Sequence, residues 1–254
     1  MTSYFATAVT VEGRKNTTSR VVVTTSVLMV VGITVIATAL TMAAGAGNAE
    51  ILAQRGELAD TTEWEQLTGV AAQVSAAGAV LGFGVAVSWM FGREFADGTI
   101  SGLFALPVSR RLIAVGKLTA YAGWAAVVAI SLVVVLGVVG VALGFGLPDA
   151  DAVAALVRQF VLTVVSAAIA VPAAWAATVG RGLLPGIATI VGIVVAAQVL
   201  AIAGIGAWFP FAAAALWALS PEAVSGLQLG LSAVIPVGFG LLTVITWDRL
   251  QLDR

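Results

Sequence analysis

The sequence predicts an all-α polytopic membrane protein with six transmembrane helices. Three observations carry that prediction. Mean hydropathy is +1.07 and 60% of the residues are hydrophobic, above the ~45–50% of a soluble domain. Six apolar stretches each supply the ~20 residues that a bilayer asks of a helix, and a chain of 254 residues has room for little else. Charge is sparse and uneven, and residues 92–117 hold six of the 25 charged side chains.

Two readings stand for residues 1–18. Phe5, Val9 and Glu12 fall at helical spacing with Arg14, Lys15 and then Arg20 on the polar side, as in a surface-lying amphipathic helix. The other reading is a disordered tail. Val21 to Ala43 is an uncharged run of 23 residues. That exceeds the ~7–15 apolar residues of a signal peptide, so it reads as the first span. Residues 44–66 set Glu50, Glu57, Asp60, Glu63 and Glu65 against Arg55 and read as a solvated outer loop. Leu67 to Phe91 is the second span, Leu118 to Phe145 the third, and Leu147 to Asp151 a tight turn. Ala152 to Val179 is the fourth span, with Arg158 near its start. After the minimal turn Gly180-Arg181-Gly182, Leu183 to Ala207 forms the fifth. Within 208–226, Phe211 to Leu219 lies between Pro210 and Pro221 and is too short to cross. It reads as an outer re-entrant segment with Trp208 and Trp217 at headgroup depth. Leu227 to Trp247 is the sixth span and Asp248 to Arg254 a polar tail.

The 92–117 segment is the most heavily punctuated part of the chain. Arg93 and Asp97 stand four apart as a helix-surface pair. Gly98 suits the left-handed conformation that ends a helix, and Thr99 suits the cap of the next. The short piece Ile100 to Leu106 is closed by Pro107, and Ser109 caps a helix that begins at Arg110. A helix, a short helix and a helix, folded at a membrane surface and rich in Arg, make a shape for docking a partner in the aqueous phase. Glu94 and Asp97 read either as a solvated helix face or as part of that docking.

Lys and Arg placement sets the orientation. With the N-terminus inside, Arg14, Lys15, Arg20, Arg93, Arg110, Arg111, Lys117, Arg181, Arg249 and Arg254 are inside. Arg55 and Arg158 are outside, a ratio of ten to two. Both termini and the 92–117 loop are therefore expected to be cytoplasmic. A seventh span at 211–219 would put Arg249 and Arg254 outside.

Composition also excludes chemistry. The chain has no Cys and no His, so there is no disulfide framework, thiolate site, imidazole ligand or His-based triad. Gly116-Lys117 does not sit in a phosphate-gripping P-loop frame. No catalytic, cofactor-binding or metal-binding residue is expected. With these boundaries only Arg158 is charged within the spans, and Gln73, Gln198 and Gln228 are the larger polar side chains, which argues against an ion-coupled carrier. Arg158 either snorkels to outer headgroups or pairs with Asp149, Asp151, an anionic lipid or a substrate. Gly78/Gly82, Gly140/Gly144, Gly182/Gly186 and Gly226/Gly230 have the four-residue spacing of close helix packing. Trp89, Tyr121, Trp124, Trp175 and Trp247 read as interface anchors.

Glu94, Asp97-Gly98-Thr99, Leu103, Leu106-Pro107, Ser109-Arg110 and Lys117 resemble the cytoplasmic-loop signature of ABC-2 type transporter permeases. Glu12, Lys15 and Arg20 are similar to the amphipathic elbow helix that opens many of them. The resemblance spans essentially the whole chain, although only the loop is a specific motif. It implies a bacterial inner-membrane half-transporter, in which two permease subunits, identical or paralogous, form the pathway and two separate ATPase subunits drive it. The loop would carry the coupling helix, and ATP and Mg would bind in the partner, so the chain itself is expected not to be an enzyme. Import-type permeases carry Glu-Ala-Ala, a Gly six residues after the Glu and a more distant Leu-Pro. Here Gly98 follows Glu94 by four, which favours export. A hydrophobic or amphipathic cargo (a drug, antibiotic, peptide or lipid-like molecule) fits the apolar spans, and no nucleic acid is expected. The alternative is a non-transporting assembly or regulatory subunit that docks a cytoplasmic partner. An intramembrane enzyme ranks third, because the spans show no paired acids and no nucleophile elbow.

Overall fold

The computed structural model of the protein describes residues 2–45 and 62–251. The expected outer-loop residues Glu50, Arg55, Glu57 and Asp60, and Arg254 in the tail, lie outside the described residues. Those described form helices and turns with no strand. Six helical stretches are long and apolar enough to cross a membrane, and the chain is a multi-pass membrane protein.

Helix α1 covers Thr2–Thr18, which resolves the first segment in favour of a helix. Ser19 then caps α2, Arg20–Val27, by accepting from the Val22 N–H. One π turn, Leu28–Gly32, joins it to α3, Ile33–Gly45, and together these make the first span. The wide turn carries Met29 into the core against the second span.

The second span, α4, runs Glu63–Ala96 and opens with a reciprocal capping box between Thr62 and Glu65. It therefore extends past both ends of the expected 67–91. Asp97 and Gly98 follow, the latter at φ +68 as expected for a left-handed helix end. Thr99 precedes the short helix α5, Ile100–Phe104, but is itself αR and its side chain caps nothing. Ser109 does cap the third span, α6, Arg110–Ala142, by accepting from the Leu112 N–H. That helix begins eight residues before the apolar run at Leu118, because the cap and not hydropathy starts it.

The fourth span is α7, Ala150–Ile169, followed by α8, Pro172–Val179. Pro172 has no N–H to continue the ladder. The Tyr121 hydroxyl donates to the Ala167 carbonyl, at 2.7 Å, in the turn before the break. Tyr121 is thus a core residue and not an interface anchor. Asp149 caps α7 through the Ala152 N–H, and among the described residues no ion pair involves Arg158. Beyond the 180–182 turn, α9 spans Leu183–Ile202, shorter than the expected 183–207, and Gly204 at φ +77 ends it. The apolar segment before the last span is a helix, α10, Pro210–Leu219, and the Ser232 hydroxyl ties it to the last span through the Pro210 carbonyl. The last span, α11, is Gly226–Arg249. Gln228, expected as a polar group within the span, is instead the capping-box partner of Ser225.

Burial sorts these helices. The most apolar window of α4 is 56% buried and that of the α7–α8 span 61%, against 11% for α9 and for α11. The second and fourth spans are the core, and Gln159 on α7 donates to Ser75 on α4 at 2.8 Å between them. Along α4 and α9 there is a seam where side chains vanish. A β-carbon on Gly92 would lie 2.7 Å from the Gly182 carbonyl carbon, one on Gly186 2.4 Å from Ser88 Oγ, and one on Gly84 2.4 Å from Ile190. Gly82 and Gly140 are likewise filled by Met29 and Trp64, whereas Gly78, Gly226 and Gly230 face open space.

This seam yields a test. Gly92→Ala sets a methyl against backbone and should cost about 1–3 kcal/mol. Gly123→Ala, inside α6 and meeting nothing within 4 Å, should leave stability unchanged or raise it by up to about 1 kcal/mol. Thermal unfolding in detergent reads both, and equal shifts would contradict the seam.

Candidate functional site

Four charged side chains meet where α1, α4 and α6 converge. Glu12 and Lys15 lie one turn apart on α1, Glu94 is in the last turn of α4, and Lys117 is in the third turn of α6. α1 can lie close to α6 because Gly116 has no side chain, and a β-carbon there would stand 3.1 Å from Ala8 Cβ. The Lys117 ammonium, 1% exposed, donates to Glu94 Oε1 at 2.6 Å, to Glu12 Oε2 at 3.0 Å and to the Met90 carbonyl at 2.9 Å. An ammonium has three protons, and three acceptors surround it. Lys15 closes the ring, 2.6 Å from Glu12 Oε1 and 3.4 Å from Glu94 Oε1. Two carboxylates and two ammonium groups balance.

Burial alone raises the Glu12 pKa, but Lys117 and Lys15 outweigh it and hold the carboxyl below its ordinary value of 4.5. Glu94 Oε2 is buried without a hydrogen-bond partner among the described residues. The reading of Glu94 as a solvated face is therefore corrected, since it is buried beneath α1, whereas Asp97 is exposed. Arg93 lies 4.5 Å above the Trp89 ring rather than pairing with Asp97.

Beside the ion cluster is an aromatic one. Trp247, fully buried near the end of α11, takes Phe91, Phe95 and Phe104 edge-on at 6.0, 6.3 and 6.1 Å, and its indole N–H donates to Thr178 Oγ1 at 3.0 Å. Lys117 stands 5.8 Å from the Trp247 ring. Trp247 is thus no interface anchor; it is the block against which α5 is set. Arg110 stacks 4.2 Å over Phe104 and donates to the Leu250 carbonyl, so the start of α6 is tied to the chain end as well.

With Ile100, Leu103 and Phe104 turned inward, the segment presents Asp97, Gly98, Thr99, Ser101, Leu106, Pro107 and Ser109 to the exterior. Leu106 is 51% exposed. It shares with Tyr4, Val11, Leu103, Val108 and Ile113 an apolar groove of about 110 Å³ between α1 and the loop. Of the residues singled out from sequence, Glu12, Lys15 and Glu94 converge in one cluster. The 97–110 set forms the exposed loop and its anchors, and Arg20, exposed at the start of α2, joins neither group. Lys117, quoted from sequence as a loop-signature residue, is the hub, and Trp247, read as an interface anchor, is the block. The available signal was the Ser109 cap, which extends α6 back over Lys117.

At the opposite end of the bundle α4, α9 and α10 enclose a groove of about 220 Å³, apolar except for Gln73 and Gln198.

A bundle of six apolar spans with a charge-locked base and an exposed short helix is a membrane subunit built to engage something outside the bilayer. The sequence model of the ABC-2 family transporter proteins matches residues 9–197. The chain belongs to that family and is a membrane permease of ABC transporters, a class that works with ABC ATPase partners. The match covers the whole charge cluster and ends before α10. No curated protein matches the chain.

The cluster predicts a sharp contrast. Lys117→Met leaves two buried carboxylates sharing the single ammonium of Lys15 and should cost about 3–5 kcal/mol. Arg111→Ala breaks the 2.9 Å pair to Asp248, whose side chains are 65% and 35% exposed, and should cost about 1 kcal/mol or less. Comparable melting temperatures for the two variants would refute the central role of Lys117.

Proposed function

We propose that the chain is the membrane-spanning half of an ATP-driven exporter for a hydrophobic or amphipathic cargo. Two copies, or one with a paralogue, work with two separate ATPase subunits that bind ATP and Mg. The chain sits in a bacterial inner membrane with both termini and the 92–117 loop in the cytoplasm. It binds no nucleotide and is not itself an enzyme. The observation that carries this reading is the α5 segment, whose inner face is locked to Trp247 and Arg110 while Gly98, Thr99, Leu106 and Pro107 stay on the surface. A docking element must be exposed to be gripped and fixed to the spans to move them. The α4–α9–α10 groove supports a cargo with much apolar surface and few polar groups, since its walls offer two amides among aliphatic side chains.

Orientation is tested by single Cys residues in this Cys-free chain. Leu147→Cys, at a site 84% exposed, should label from outside intact cells, and Ser101→Cys only after permeabilisation. Labelling of Ser101→Cys from outside would invert the topology.

Coupling is tested by Gly98→Val and Leu106→Asp. At φ +68 with nothing within 4 Å, Val meets no clash but holds a conformation costing about 1–2 kcal/mol, which should tilt α5. Leu106→Asp puts a charge on the gripped surface. Both should leave insertion intact and lower cargo transported per ATP hydrolysed in reconstituted vesicles, Leu106→Asp by at least about tenfold for a loss of ~1.4 kcal/mol of docking energy. Parental transport in both variants would make the loop a passive surface.

A further inference from the structure

A second, basic pocket adjoins the Trp247 block, sharing Thr178 and Leu250 with it, but includes no residue of the charge cluster or of α5. The α8–α9 turn and the end of α11 enclose about 400 Å³, lined by Val179, Arg181, Ile245, Thr246, Arg249 and Gln251 among others. Its cations are two guanidinium groups. Arg181 has φ +51, the single non-glycine residue at positive φ among those described, and it stands between two glycines that could take that conformation without strain. The chain thus places a side chain where it costs most. The Arg181 guanidinium donates to the Gln251 carbonyl at 3.1 Å, which holds it over the gap toward α11. Arg249 is exposed in the last turn of α11 and has no ion-pair partner among the described residues. The neighbouring acid, Asp248, turns away to Arg111 at 2.9 Å.

The pocket is not wholly basic. Val179 and Ile245 line it too, and from Ile245 an exposed apolar track runs along α11 through Leu241 and Val237 at four-residue spacing. These three are 43%, 60% and 63% exposed. At 1.5 Å per residue the track is about 12 Å long, close to one leaflet's hydrocarbon depth. A phosphate alone or an acidic peptide would use the arginines and leave the track bare. An anionic phospholipid uses both.

We propose that this pocket binds an anionic phospholipid, with Arg181 and Arg249 on its phosphate and an acyl chain along Ile245, Leu241 and Val237. In the orientation proposed above, the only part of that reading used here, the lipid belongs to the cytoplasmic leaflet. Bound there, it bridges the turn between the fourth and fifth spans to the end of the sixth.

Native mass spectrometry of the purified full chain in detergent tests this without reference to transport. The probes are phosphatidylglycerol, phosphatidylcholine and inorganic phosphate. The parent should retain phosphatidylglycerol over phosphatidylcholine, and phosphate at the same concentration should not displace it. Each arginine contributes about fivefold, so Arg249→Gln should reduce the preference about fivefold and Arg181→Gly plus Arg249→Gln together about 25-fold. Arg249→Gln leaves the Arg181–Gln251 bond in place, so this variant should melt as the parent does when delipidated. Arg14→Ala, an exposed arginine on α1, should keep the parental preference. Equal retention of the two lipids overturns the proposal, as does an undiminished preference in Arg249→Gln. Displacement by free phosphate would make this an anion site that ignores the acyl chain, and overturns it too.

Discussion

The fold rests on one ammonium group. Lys117 sits where three helices from distant parts of the chain cross, and each of its protons goes to a different acceptor, on α1, on the α4 side chain and on the α4 backbone. Charges this deep are costly to desolvate, and only saturated geometry offsets that cost. The cluster meets the condition nearly in full: it is neutral overall, its donors are used, and a single carboxylate oxygen, Glu94 Oε2, is left over. Remove the lysine and α6 loses its charged link to both α1 and α4, leaving Lys15 alone between the two carboxylates. The loop beyond Glu94 is therefore as well placed as this contact is strong.

Around that contact the molecule separates rigid parts from exposed ones. The base is held twice, by ions among α1, α4 and α6 and by rings around Trp247, so α5 rides on a platform that side-chain rotation alone cannot loosen. The second span is packed on the fifth along the glycine seam and joined to the fourth by Gln159 and Ser75. The fifth and sixth spans bury little of themselves, and they carry the surfaces left for lipid or for a second subunit.

Much of this was legible in the sequence. Hydropathy located six spans, and the Gly98 and Ser109 signals located the turn and the helix start that the structure has. What escaped did so for identifiable reasons. Cutting the spans at Phe91 and Leu118 by hydropathy placed Glu94 and Lys117 in a loop, where charges look solvated; helix caps extend both helices and bury the pair. Trp247 lies at a span end, where interfacial tryptophans also lie, and only its neighbours distinguish a core residue from an anchor. Gln159 passed unnoticed among larger signals, although its partners Ser75 and Thr163 are ordinary small polar residues in a span. Periodicity reports which face is apolar. It does not report which distant residue that face meets.

The glycine seam gives the cluster a mechanical meaning. Where Ile190 fills the place of a side chain at Gly84, Ser88 does so at Gly186, and Gly92 meets the Gly182 backbone, α4 and α9 interlock at close range. The charge cluster holds α4 near one end, at Glu94. By helix rise, Gly98 lies about 6 Å from Glu94 and Gln73 about 31 Å on the other side. One continuous helix therefore reaches from the charge cluster at the base to the groove at the far end, with Gln73 about five times as far from Glu94 as Gly98 is.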